Sequence, residues 1–268
     1  MNLRFSLAAM MAGAILAGAS AVSASQIQVS SLTANALASP GQWGISDVRP
    51  GGSASIVDLP AGPLAGAPSP TGAALLTLDG TNAAKAEVGI YNFYGKFSDI
   101  VSDLNVGYDF YKDSSGTSAA PAPAMKIGLL NSNNQLGYLI YEPYANPAFI
   151  NPTPDVWTHE SMDANTGGWW WSGGFTPPAG SAGGAPYDTL AQWASTVLGD
   201  ANMVYVGMGM GTYNPDTVGY FDNVLVKAGS FNDTYDFGPQ AVPEPSSLAL
   251  LAVGGFGLFA RRRRRSTV

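Results

Sequence analysis

Two stretches decide the fold: Tyr220-Phe221-Asp222-Asn223-Val224-Leu225-Val226, and Val106-Gly107-Tyr108-Asp109-Phe110-Tyr111. In both, polar and apolar residues interleave with a period of two. A β-strand sends successive side chains to opposite faces, so this pattern describes strands with one packed face and one wet face. Working outward, 33 glycines and 19 prolines punctuate the chain, and the runs between them are alternating, β-branched or aromatic. Further strands are predicted at 27–32, 53–58, 73–78, 86–94, 104–112, 124–131, 136–141, 157–161, 169–173, 203–210, 218–226 and 234–237. One helix is expected from 187 to about 198, with Asp188 as N-cap, Leu190, Trp193, Ala194 and Val197 at helical spacing, and Gly199 as the stop. The segments 60–71, 114–123 and 175–186 are low in charge and rich in Pro, Gly, Ala and Ser, and read as loops. No internal repeat is visible. The expectation is one mainly β domain at 25–238, a single β-sandwich of jelly-roll or concanavalin-like type with one short helix, followed by a linker at 239–245.

The chain carries 12 Lys and Arg against 19 Asp and Glu, a net charge of −7. Six of the basic residues, Arg4 and Arg261 to Arg265, lie at the two ends, so residues 25–242 hold 12 − 6 = 6 basic and 19 − 1 = 18 acidic residues (Glu244 excluded), a balance of −12. That composition argues against nucleic acid or an anionic membrane surface as a partner of the body, because phosphate binding needs concentrated positive charge. There is no cysteine, so disulfides, a thiol nucleophile and Cys-based zinc sites are excluded.

Both ends are built for export. Arg4 precedes an apolar run at 7–16, and Val22-Ser23-Ala24 places small residues before a signal-peptidase site, so residues 1–24 read as a cleaved signal-peptide helix. At the other end stand Val242-Pro243-Glu244-Pro245, an uncharged stretch at 246–260, and five arginines, Arg261, Arg262, Arg263, Arg264 and Arg265. As a helix, 15 residues reach about 22 Å against a hydrocarbon core of about 30 Å, which makes 246–260 a short transmembrane helix. The arginines act as a membrane stop and put 261–268 in the cytoplasm. The two prolines keep Glu244 extended and readable just outside the bilayer.

This order of Val-Pro-Glu-Pro, short apolar helix and arginine cluster resembles the PEP-CTERM class of exported bacterial proteins. The resemblance implies processing by an exosortase, with Pro243, Glu244 and Pro245 as the recognised sorting motif and the chain as its substrate. It further implies signal peptidase as an earlier partner, a transient inner-membrane anchor, and a cell-surface or matrix destination in Gram-negative bacteria that make exopolysaccharide. A shorter pattern, 206–211, then 219–224, then Tyr235-Asp236-Phe237, is similar to the closing strands of exported lectin-like sandwiches, and it implies fold without ligand.

Within the body, Trp169-Trp170-Trp171 is the candidate carbohydrate-binding cluster, because flat aromatic faces stack on sugars. On a strand Trp169 and Trp171 point one way and Trp170 the other, so at least one face is core, and sugar binding requires Trp170, or a partner such as Trp43 or Trp157, to lie exposed. The sole histidine, His159, shares a predicted strand face with Ser161 and Asp163, but neighbours on one strand converge poorly into a triad. Asp222, Asn223 and Asp236 are candidate metal ligands, hard oxygens beside turns that would suit structural calcium, although no regular calcium loop is present. Glu87, Glu142 and Glu160 are the glutamates of the body and sit on separate segments, which disfavours a paired-carboxylate glycosidase. The reading is therefore a non-enzymatic exported protein whose body contacts exopolysaccharide, with a secreted carbohydrate-active hydrolase or a purely structural adhesion module as the alternatives.

Overall fold

The chain alternates inward apolar and outward polar or glycine residues, and in the computed structural model this alternation builds two facing β-sheets. The structure describes residues 24–59, 64, 67–68, 72–146, 150–175 and 186–239. The signal peptide, Pro243, Glu244, Pro245, the 246–260 segment and Arg261 to Arg265 lie outside the described residues.

In chain order the strands are β1 (Ser25–Val29), β2 (Gly44–Ile45), β3 (Gly52–Val57), β4 (Ala73–Leu78) and β5 (Ala86–Lys96). A single-turn helix α1 (Phe97–Ile100) leads to β6 (Asn105–Lys112), β7 (Ala124–Leu130), β8 (Leu136–Tyr141), β9 (Trp157–Asp163) and β10 (Trp169–Ser172). Helix α2 (Leu190–Ala194) precedes β11 (Asn202–Met210), β12 (Thr217–Ala228) and β13 (Phe231–Phe237). Among the described residues the first sheet has seven strands, β1, β13, β12, β4, β3, β6 and β9, and the second has six in the order β10-β8-β7-β11-β5-β2.

β12 is the organising strand of the first sheet. One edge pairs with β6, while the other pairs with β4 over 217–221 and with β13 over 224–228. The register against β6 shifts between Asp222 and Leu225, and Asn223 there adopts a φ of 48°. A bulge needs a residue that tolerates the left-handed region, which asparagine does better than most. Asp222 reinforces the change of partner by accepting the backbone N–H of Phe237 at 2.7 Å. β1 pairs parallel with β13, so Ser25, the first residue after the predicted cleavage site, lies opposite Asp233.

The core lies between the sheets. Leu76, Phe110 and Phe221 face Val88, Ile127 and Met208, all fully buried. Trp43 closes one end, edge-on to Tyr235 and Phe237 at centroid distances of 5.5 and 4.9 Å. Trp169 and Trp171 enter the same core.

The helix is shorter than its periodicity suggested and starts elsewhere. Thr189, rather than Asp188, caps it, in a reciprocal box with Gln192, and the backbone tightens into a 3₁₀ turn over Val197–Asp200 that takes in Gly199. Asp188 instead exchanges backbone hydrogen bonds with Trp169. The two-residue strand β2 and helix α1 had no counterpart in the sequence pattern.

Candidate functional site

The outer face of the second sheet carries a cavity, and the alternation in β11 explains it. Val206, Met208 and Met210 go inward, so Gly207 and Gly209 face outward and leave the middle of the sheet without side chains. Cross-strand register places Trp170, Ile140, Lys126, Gly207 and Gly89 in one row, and Ala124, Gly209 and Glu87 in the next. Tyr205 lies flat on this glycine bed. A Cβ at Gly128 would stand 2.6 Å from its Cβ, and one at Gly207 would overlap its hydroxyl.

The resulting cavity has a volume of about 530 Å³. Trp170 and Ile140 form an apolar wall, Lys126, Lys85 and Arg49 a cationic one, and Glu142 also lines the cavity. Trp170 is 7% exposed and packs on Ala124, Ile140, Tyr138 and Tyr187. Its Nε1 faces the Glu142 carboxyl without closing a regular hydrogen bond. Burial pushes Glu142 up from the usual carboxylate range, with Lys126 opposing. Among the three body glutamates, Glu142 alone lines the cavity.

Glu87 is the anchor of the cationic wall. Its Oε2 pairs with Lys126 and, at 3.1 Å, with Lys85. Its Oε1 accepts from Tyr205 OH at 3.1 Å, and Ser46 Oγ lies 2.9 Å from that hydroxyl. Burial alone would raise its pKa, but Lys126 and then Lys85 outweigh it and hold the carboxyl below its ordinary value. Lys85 continues to Asp47 at 2.6 Å, and Arg49 grips Asp47 through Nε at 3.2 Å and Nη2 at 3.0 Å.

The remaining sequence candidates lie elsewhere. Trp43 is core, and Trp157 is half-buried on the outer face of the first sheet. His159 is exposed, and its acidic neighbour is Asp109, at 2.8 Å from Nδ1, rather than Asp163. Asp163 is instead turned to Asn165 N–H and Thr166. Asn223 donates its amide to the second oxygen of Asp109 at 3.0 Å. Asp222 is fully buried with Oδ2 unpartnered, and Asp236 accepts from Gln26 at 3.2 Å. Among the described residues no group of three or more His, Asp or Glu side chains is placed to hold a metal ion. Glu160 points between the sheets, where it accepts from Tyr141 OH at 2.8 Å.

Sequence reasoning passed over Arg49, Lys85, Lys126 and Tyr205. The signal was present in the pattern: Lys126 between Met125 and Ile127, and Glu87 between Ala86 and Val88, fall on the outward beat of otherwise apolar strands.

The tail matches a known motif. Residues 241–265 are a PEP-CTERM protein-sorting motif. The PEP-CTERM motif marks an exported protein sorted via the membrane. Among the described residues no helix is long and apolar enough to cross a membrane. No curated protein matches the chain. Among solved structures, the chain is similar to a family 11 carbohydrate-binding module from Clostridium thermocellum in complex with a mixed-linked tetrasaccharide, at 14% identity and a TM-score of 0.40, covering 75% of this chain and 96% of that one. It is also similar to a putative sugar binding protein from Bacteroides thetaiotaomicron, at 14% identity, a TM-score of 0.39, and 77% and 95% coverage. An exo-beta-agarase matches at 10% identity and a TM-score of 0.37 over 72% of this chain and 24% of its own.

Proposed function

We propose that this is an exported, non-enzymatic protein whose sandwich binds exopolysaccharide in the cavity on the outer face of the second sheet. The observation that carries the reading is the pairing of an aromatic and aliphatic wall, Trp170 and Ile140, with ion-paired polar groups fixed beside it on the same sheet face. Sugar sites combine a flat apolar surface for C–H faces with a few positioned polar groups for hydroxyls. Binding rather than cleavage is favoured because Glu87 is committed to two lysines and a tyrosine, which leaves Glu142 without a second free glutamate beside it.

The delivery route in this reading runs through signal peptidase after Ala24, a transient inner-membrane stop at 246–260 and Arg261 to Arg265, and exosortase recognition of Pro243, Glu244 and Pro245. The released body ends at the cell surface or in the matrix. Glu244→Ala is then expected to leave the full-length chain in the membrane fraction, whereas equal release of wild type and variant would break the sorting step.

The test of the body is an affinity gel and a reducing-end assay on the exported protein with a panel of polysaccharides. Retention without new reducing ends is expected. New ends that disappear in Glu142→Gln would make it a hydrolase, and neither retention nor cleavage would leave a structural adhesion module.

A further inference from the structure

The cationic wall of the cavity says more about the ligand than the aromatic wall does. Residues 25–242 carry only six basic residues, Arg49, Lys85, Lys96, Lys112, Lys126 and Lys227, against 18 acidic ones. Three of the six, Arg49, Lys85 and Lys126, line this one cavity. Lys112 shapes its rim from below, because its Nζ donates to the carbonyls of Ser118 at 2.7 Å, Ala119 at 2.6 Å and Pro121 at 3.0 Å, and Pro121 lines the cavity.

These cations share their counter-ions. Arg49 and Lys85 share Asp47, and Lys85 and Lys126 share Glu87, so three positive groups face two carboxylates. The third acid, Glu142, also lines the cavity, and burial raises its pKa from the ordinary carboxylate value against the pull of Trp170 and Lys126. Lys126 is pressed below the ordinary lysine value, by burial and then by Lys85, with Glu87 opposing. A buried ammonium that shares its counter-ion is stabilised by any further anion. The −12 balance of the body does not cancel this, since exposed charges more than about 10 Å away are largely screened at ordinary ionic strength.

We infer that the cavity selects an acidic sugar residue, its ring against Trp170 and its anionic group received by Arg49 and the Lys85–Lys126 pair. This rests on the carbohydrate-binding reading of the same cavity. A uronate and a sulfated sugar offer the same chemistry. Arg49 is the accessible member, half exposed at the cavity edge, with Asp47 on one side of its guanidinium fork.

The experiment uses the exported protein in affinity gels with polygalacturonate, its fully methyl-esterified form, carrageenan and neutral agarose. Retention on polygalacturonate that is lost on esterification assigns a uronate. Retention on carrageenan and not on agarose assigns a sulfated sugar. Arg49→Ala, a change at a half-exposed side chain, is expected to keep the urea midpoint close to that of wild type and to weaken binding of the retained polymer about tenfold or more, with partial recovery in Arg49→Lys. Rising salt should weaken binding to wild type more steeply than to Arg49→Ala. Equal retention on the ester and the free acid, or on agarose and carrageenan, with Arg49→Ala unchanged, would overturn the inference while the cavity remained a sugar site. No retention on any of the four would remove both.

Discussion

Lys126 on β7 and Glu87 on β5 form an ion pair across the strand that separates them, above Gly207 and Gly209 of β11. Their strands lie two apart, about 10 Å, and a lysine can span that distance only where the intervening strand has no side chains. Removing one partner leaves a buried charge with half its compensation. Lys126→Met should therefore cost about 3 kcal/mol in urea unfolding, and adding Glu87→Leu should recover most of it. The sign with pH follows from Glu87, whose folded pKa is depressed: its contribution is present above the unfolded value of 4.5 and is lost as pH falls through the folded one. Glu87→Gln should remove that acid-side loss.

The glycines of β11 are a second point of attack. A Cβ at Gly207 would overlap the Tyr205 hydroxyl, and the phenol cannot swing away without abandoning Glu87 and Ser46. Gly207→Ala is expected to destabilise by about 1–3 kcal/mol as overpacking. Gly211→Ala, with open space at its Cβ, should change the unfolding midpoint far less.

Much of the fold was legible because a strand's period survives local exceptions. The alternation over 106–111 and 220–226 correctly sorts Val106, Tyr108 and Phe110 to the core and Asp109 to the outer face. It also separates Trp170 from Trp169 and Trp171, and the structure places them on opposite faces. The cavity was less legible because its parts are brought together by register. Lys126, Glu87 and Glu142 are far apart in sequence, and nothing in single strands says that β11 will lie between β5 and β7. Helix α2 was misread at its start because Asp188 and Thr189 are both good caps. The choice fell to Thr189, which can complete a box with Gln192, while the backbone of Asp188 is bonded to Trp169.

Asp222 sets an opposite pH dependence. It is fully buried, and burial pushes its carboxyl up to about 7, against the pull of the Phe237 and Asn223 N–H groups. The folded state then holds this proton more tightly than the unfolded chain does, where the value is 3.8. Its cost is absent below about pH 4, grows as pH rises through that range, and is complete above about 7, reaching ~4 kcal/mol at most. Asp222→Asn keeps a carbonyl for the Phe237 N–H and should flatten this slope. Urea midpoints at pH 4.5 and 8 would read it, and an unchanged slope in the variant would assign the dependence elsewhere.

The first sheet offers a rival platform, and one substitution separates it from the cavity. Trp157 lies against Tyr111 at a centroid distance of 5.7 Å, and Tyr111 lies 5.8 Å from Tyr220, so an aromatic row crosses β9, β6 and β12 on their outer face. Tyr111 is itself buried beneath its neighbours, and its hydroxyl donates to Asp155 at 3.2 Å, which makes the centre of the row a packed seam with Trp157 and Tyr220 half-buried at its ends. A seam contributes stability, about 1 kcal/mol per aromatic pair beyond the area it covers. Trp157→Ala is accordingly expected to lower the melting temperature and leave polysaccharide retention intact. Trp170→Ala should abolish retention, and Trp170→Phe, which keeps a flat ring in the wall, should restore part of it. Loss of retention in Trp157→Ala with Trp170→Ala unaffected would move the binding face from the second sheet to the first.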